Sequence, residues 1–344
     1  MNIRNYYLII ITFLIIVGCS KEHIEVETNC AVNQPLQGWK VEKFDFSINT
    51  DHRDVYFPSE AVGFVCGLGG DIIKTSDSGL TWQELNTGTT NNLKTVYFID
   101  ENIGFASGNG VNDSDDSGAP VIKTTDGGKT WERYFFKGLT IKDIYFFDEQ
   151  NGVALVNHGG KYKIAVTSNS GKNWDIQDLD VRSWYDKFFY TPTKIIVCGY
   201  KRVLYCSEDM GNTWDTIICP NIPYNEVRDL FIISENVWIL NGSADVHKTT
   251  DGGKTWTEIK FNIFGRLVHF SSEDECFALD QNIAYDDNDE SYFKGHIVRQ
   301  TFDGGNSWTT KEVDGGCVLL GLSHFPSSNV GYTINQRVFR FIKE

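Results

Sequence analysis

An eight-residue pattern, Ser/Thr-x-Asp-x-Gly-x-x-Trp, is written six times along this chain of 344 residues. The copies end at Trp82, Trp131, Trp174, Trp214, Trp256 and Trp308, and successive tryptophans lie 49, 43, 40, 42 and 52 residues apart. A pattern returning at that interval means a repeat architecture. Each unit is one supersecondary motif that buries its apolar face only by stacking on its neighbours.

The residue types in the pattern describe a tight turn between two strands. The acidic side chains of Asp77, Asp126, Asp209, Asp251 and Asp303 accept hydrogen bonds from nearby backbone N–H groups and hold the turn shut. Asn169 fills the same place in the third copy; it keeps the acceptor oxygen and loses only the charge. The glycine supplies a positive φ that other residues reach at a cost. The tryptophan opens the next strand and covers the turn with a large apolar surface. These twelve Asp, Asn and Trp positions are therefore read as structural.

Between the turns runs a second pattern. Val55-Tyr56-Phe57 leads to Gly63-Phe64-Val65-Cys66-Gly67, Val96-Tyr97-Phe98 to Gly104-Phe105-Ala106, and Ile144-Tyr145-Phe146 to Gly152-Val153-Ala154. β-Branched and aromatic enrichment marks strands, and the Gly-, Asn- and Asp-rich links mark hairpins. Each repeat then holds four strands, the content of a propeller blade. After Trp308 the chain supplies only three more strands, ending at Val338-Phe339-Arg340-Phe341. The missing fourth is found at the other end, Gly38 to Phe44 with Trp39 inside it. The expected fold is all-β: a seven-bladed β-propeller of four-stranded blades over residues 37–344, closed by the N-terminal strand joining the C-terminal blade. Closure removes sheet edges that would otherwise template aggregation.

The start of the chain has a different character. Arg4 precedes a continuous apolar run from Tyr6 to Val17, followed by Gly18-Cys19. A run this short suits the core of a signal peptide and not a membrane span. Ile16-Val17-Gly18-Cys19 resembles the lipobox of bacterial lipoproteins, which implies cleavage after residue 18 and acylation of Cys19. Residues 19–36 are polar and acidic and read as a flexible tether. The expected location is the bacterial cell envelope, outside the cytoplasm and held by lipid, in the outer membrane. The other cysteines, Cys30, Cys66, Cys198, Cys206, Cys219, Cys276 and Cys317, show no metal-binding spacing. Cys66 and Cys198 occupy a second-strand position that other repeats give to Leu155, Leu240 and Leu279, the place of a small buried hydrophobe.

A net charge of −15 argues against nucleic acid as a partner. The cations nevertheless recur in register. Arg53, Lys94, Lys142, Arg228 and Arg266 each lie two residues before the apolar core of a blade's first strand, and the fourth and seventh blades carry Asp186 and Gly321 there. First strands line the channel of a propeller, so these five residues are expected to ring one mouth and draw a carboxylate or an acidic peptide. The competing reading is a solvated rim. Two acidic loops are expected beside the ring, one through Asp113, Asp115 and Ser117 and one around Asp287. The first matches the opening half of a calcium loop but has Thr124 where the closing Glu belongs, so a solvated loop is preferred to a metal site. No motif for a cofactor, a phosphate loop or a nucleophile elbow is present.

The eight-residue turns resemble the Asp box, or bacterial neuraminidase repeat, which sits on the outer rim of propeller blades in that family. The sentence from Val96-Tyr97-Phe98 through Asp100 and Gly104-Phe105-Ala106 to the turn at 124–131 looks like the photosystem II assembly and stability factor family. The likeness runs from about Gly38 to the end. It implies a monomeric, often lipid-anchored seven-bladed propeller that binds a protein or peptide, carries a basic patch and performs no catalysis. Asp-box propellers also include sialidases and xyloglucanases. The Arg-Ile-Pro signature of sialidases is absent, and xyloglucanases use two propellers. A glycan-binding or glycan-hydrolysing propeller, with Asp113 and Asp287 as paired carboxylates, is the alternative.

Overall fold

The computed structural model of the chain describes residues 36–44, 52–109, 118–136, 139–158, 161–181, 188–198, 203–220, 227–242, 246–259, 267–285, 291–314, 321–335 and 337–344. They form seven four-stranded sheets, antiparallel throughout. Blade 1 runs outward from His52–Tyr56 through Gly63–Gly67 and Ile72–Thr75 to Gln83–Leu85. The innermost strands of blades 2 to 7 are Leu93–Phe98, Thr140–Phe146, Phe189–Tyr190, Val227–Ile232, Leu267–Phe270 and Leu322–His324. Innermost strands of blades 1 and 2, 2 and 3, 4 and 5, and 7 and 1 touch one another about the central axis.

The ring closes as the sequence suggests. Trp39–Phe44 is the outermost strand of blade 7 and pairs antiparallel with Val338–Lys343, Trp39 opposite Lys343 and Lys43 opposite Phe339. Trp39 is 2% exposed and meets the rings of His269 and Phe277 edge-on, at 5.5 and 5.2 Å. Arg340 adds Nε–H to Glu42 Oε2 at 2.9 Å.

A single packing rule joins the blades and explains the aromatic–glycine spacing. In blades 1, 2, 3 and 7 the aromatic at the end of the innermost strand lies on a glycine of the second strand: a Cβ on Gly63 would sit 2.3 Å from the Phe57 ring, and one on Gly331 2.0 Å from Phe325. The other face of that ring stacks on the preceding blade. Tyr332 lies on Phe57 at 3.8 Å, Phe64 on Phe98 at 3.6 Å, and Phe105 on Phe146 at 3.4 Å. Each such buried aromatic removes apolar surface worth about 1.5–3 kcal/mol.

At five of the six repeat turns one carboxylate bridges four residues of backbone. Thr81 N–H donates to Asp77 Oδ1 at 2.8 Å, and the Thr81 hydroxyl to Oδ2 at 2.6 Å. The Thr75 hydroxyl receives Gly79 N–H at 2.9 Å, and Trp82 Nε1–H returns to Gly79 O at 3.1 Å. Asn169 accepts the equivalent amide, Asn173 N–H, at 2.9 Å. Two consecutive residues have positive φ here, as with Ser78 (62°) and Gly79 (87°). The turns also tie blades together: Lys74 Nζ donates to Gly127 O at 3.0 Å, and Lys123 Nζ to Ser170 Oγ at 3.2 Å.

One register assignment needs correction. Leu230 pairs with Leu240 as Val55 pairs with Val65, so Leu240 matches Val65 and Asn241 takes the place of Cys66. Leu240 accordingly packs toward blade 4, beside Cys198 and Cys206, and Cys66 toward blade 2. Cys66 and Cys198 are buried, as are Cys206, Cys219 and Cys276.

Candidate binding site at the channel mouth

Every innermost strand begins at the same mouth, because each blade repeats the same antiparallel order. Three of the five basic positions can be placed in full. Arg53 is exposed, and Lys94 and Lys142 are half-buried. Arg228 lies in the strand Val227–Ile232, with its side chain outside the described residues. Arg266 lies outside them too, as do Asp186, the loops of Asp113, Asp115, Ser117 and Asp287, and Cys19 with the leader and the tether as far as residue 35, whereas Leu36 is buried beside Trp39 and belongs to the propeller.

A feature that the sequence did not disclose unites four of the cations. The pairing of innermost and second strands slips by one residue between His52 and Asp54, Leu93 and Thr95, Ile141 and Asp143, and Val227 and Asp229. The residue skipped is Arg53, Lys94, Lys142 or Arg228. Each cation is thus the extra residue of a β-bulge, at the place where its strand bends. The bulge does not dictate one direction for the side chain. Lys142 reaches over its own blade, its ammonium 5.9 Å from the Tyr162 ring.

The residue after three of these bulges holds the next blade. Asp54 Oδ1 accepts Val55 N–H at 2.9 Å, and its Oδ2 accepts Val96 N–H of blade 2 at 3.0 Å. Asp143 repeats the arrangement, accepting Ile144 N–H at 2.9 Å and Phe188 N–H, just before the blade 4 strand, at 2.6 Å. Thr95 donates its hydroxyl to Asp143 Oδ1 at 3.0 Å. The inner edge of an innermost strand has no neighbour to pair with, and these side chains satisfy amides that would otherwise lack partners. Burial pushes the Asp54 carboxyl up to about 7, the hydrogen bonds from Val96 and Val55 oppose the rise, and the Asp143 charge adds to it.

Deeper along the same strands an aromatic residue stands in every blade: Tyr56, Tyr97, Tyr145, Tyr190, Phe231, His269 and His324. Tyr56, Tyr97, Tyr145 and Tyr190 form a continuous arc with ring centroids 5.0, 4.9 and 4.8 Å apart, and His324 extends it at 4.5 Å from Tyr56. The hydroxyls of Tyr56 and Tyr190 shift each other's ionisation although their strands are three blades apart. Those side chains therefore approach one another across the lumen. Burial holds both histidines neutral, with pKa values near 4. The alternation of apolar residues showed where the strands run; the approach across the axis follows from the curvature of the ring.

The mouth and the closed ring define a seven-bladed, four-stranded β-propeller with bulged basic residues at the starts of its innermost strands. No protein-family model matches the chain, and no curated protein sequence matches it. Solved structures do. YCF48 bound to a D1 peptide is 15% identical with a TM-score of 0.59, covering 90% of this chain and 98% of that one. YCF48 from Cyanidioschyzon merolae is also 15% identical at a TM-score of 0.59, with coverage of 89% and 99%. The β-propeller domain of Cps50 (Swd1) from Myceliophteria thermophila is 10% identical at 0.55, with coverage of 88% and 99%. At these identities the likeness is one of fold.

Proposed function

We propose that this chain is a lipid-anchored, extracytoplasmic binding scaffold that takes a protein or acidic peptide at the basic mouth of its propeller and carries out no catalysis. The observation that carries the reading is the placing of Arg53, Lys94, Lys142 and Arg228 on equivalent bulges of four innermost strands. Cations repeated in register on an acidic protein make a local field of opposite sign to the whole. The likeness to YCF48 with a bound D1 peptide supports a peptide as the class of ligand. Anchoring rests on the apolar run before Cys19 and on the acidic tether that follows. Acyl chains on Cys19 contribute about 0.8 kcal/mol of membrane affinity per buried CH₂, enough together to hold the protein at the outer membrane.

The test is binding of a fluorescein-labelled poly-glutamate peptide to the parent and to an Arg53→Glu/Lys94→Glu double variant. Each exposed ion pair contributes only about 0.2–1 kcal/mol, so two reversals are needed for a clear loss. Equal affinity of a correctly folded double variant would remove the mouth as the binding site.

A further inference from the structure

The bulged cations stand next to the side chains that tie blades 1 to 4 together at the lumen. Asp54 joins the blade 1 strand to Val96 of blade 2, Thr95 joins blade 2 to Asp143 of blade 3, and Asp143 joins blade 3 to Phe188 at the entrance to blade 4. Each link starts one residue after a basic bulge: Arg53 precedes Asp54, Lys94 precedes Thr95 and Lys142 precedes Asp143. A bulge is a bend with a missing ladder bond, and alone it leaves its side chain poorly aimed. Here the amide after the bulge is held at 2.9 Å by the carboxylate beside it, and the other oxygen is fixed to the neighbouring blade. The aim of one cation thus becomes coupled to the place of the next.

We infer that Asp54, Thr95 and Asp143 are positioning residues of the basic mouth, a clasp that registers Arg53, Lys94 and Lys142 across three blades for an anionic chain. The inference rests on the proposed binding role of that mouth. Thr95 is 2% exposed, so it acts through its neighbours and does not meet the ligand. It is also the informative residue to change. Thr95→Val keeps the shape and the charge and removes the hydroxyl that donates to Asp143 and also meets the Asp54 carboxyl. Deleting either carboxylate would strengthen the positive field while loosening the clasp, and the two effects oppose each other.

The experiment combines two readouts on the full chain carrying Thr95→Val, with Thr95→Ser as the conservative rescue and Thr95→Ala as a second variant should Val disturb folding. Poly-glutamate affinity reports on the mouth, and amide hydrogen exchange at Phe188 reports on the clasp. Thr95→Val should weaken poly-glutamate binding by about three- to tenfold, the factor one net hydrogen bond supplies. It should also speed exchange at Phe188, with Ser restoring both. Faster exchange with unchanged affinity would make the clasp a brace with no bearing on binding and overturn the inference while leaving the mouth intact. Unchanged exchange would overturn the clasp itself. A parent protein that fails to bind poly-glutamate at low salt would overturn the reading of the mouth and the positioning role with it, and the exchange data would still decide whether the clasp exists.

Discussion

Ring closure should depend on one side chain more than on any ion pair around it. Trp39 is buried among Phe277, Phe339, Phe341, Leu279 and Val298 at the seam of blades 6 and 7. A buried aromatic of this kind removes about 150–250 Å² from water, which at about 25 cal/mol per Å² is about 4–6 kcal/mol. Part of that area is already covered in the unfolded chain, and aromatic-to-alanine changes in cores cost about 3–5 kcal/mol. We expect Trp39→Ala to lose about 3–5 kcal/mol and Lys40→Ala under about 1 kcal/mol, because the Lys40–Glu42 ion pair is exposed on the lysine side. Urea denaturation followed by far-ultraviolet circular dichroism measures both without relying on the deleted fluorophore. A Trp39→Ala protein within 1 kcal/mol of the parent would refute the view that this strand is the latch of the ring.

Three further outcomes follow from particular residues. His269, stacked at 3.8 Å on Phe325 and bonded through Nε2 to Ser328 O, is neutral in the fold with a pKa near 4 because of burial. The unfolded chain takes up its proton first as pH falls from about 6.5, so stability is complete above that pH and declines toward pH 4, by at most about 3 kcal/mol from this group. His269→Phe should flatten part of that decline in acid-titrated melts, and an unchanged slope would assign it elsewhere. Thr333 is wholly buried and its hydroxyl has no hydrogen-bond partner among the described residues, so Thr333→Val should stabilise by about 1 kcal/mol; a destabilised variant would reveal a hidden acceptor. Cys19→Ala should leave an uncleaved precursor without lipid, and mass spectrometry finding an unmodified mature N-terminus at another residue would end the anchoring proposal.

The blade count and the latch were legible because they rest on local chemistry repeated many times. Turn residues, alternating strands and the leftover strand at Trp39 need no knowledge of how the blades sit together. The bulges were not legible. Arg53, Lys94, Lys142 and Arg228 look like ordinary strand residues until the second strand is laid beside them and the pairing slips. The Asp54–Val96 and Asp143–Phe188 bonds were hidden for a related reason, since they join residues 42 and 45 positions apart on different blades. Their only trace in sequence is an acidic residue directly after the cation in Arg53-Asp54, Lys142-Asp143 and Arg228-Asp229. The misplacing of Leu240 has a different origin: Leu230 and Leu240 are ten residues apart, as Val55 and Val65 are, but blade 5 has Trp238 where blade 1 has Gly63, so no glycine marks the start of its second strand.

The claim that an acidic chain docks where the innermost strands begin can be tested without knowing the natural partner. A carbodiimide joins a carboxylate to a lysine amine only where the two are in contact, so it records position directly. Lys94 and Lys142 belong to the basic mouth, whereas Lys129, Lys172 and Lys254 belong to the repeat turns at the opposite end of the blades. Coupling poly-glutamate to the protein and mapping the joined lysines by mass spectrometry should place the peptide on Lys94 and Lys142. The yield should fall as salt shortens the Debye length toward about 8 Å at physiological ionic strength. Coupling spread evenly over both ends, or concentrated on Lys129, Lys172 and Lys254, would contradict the account.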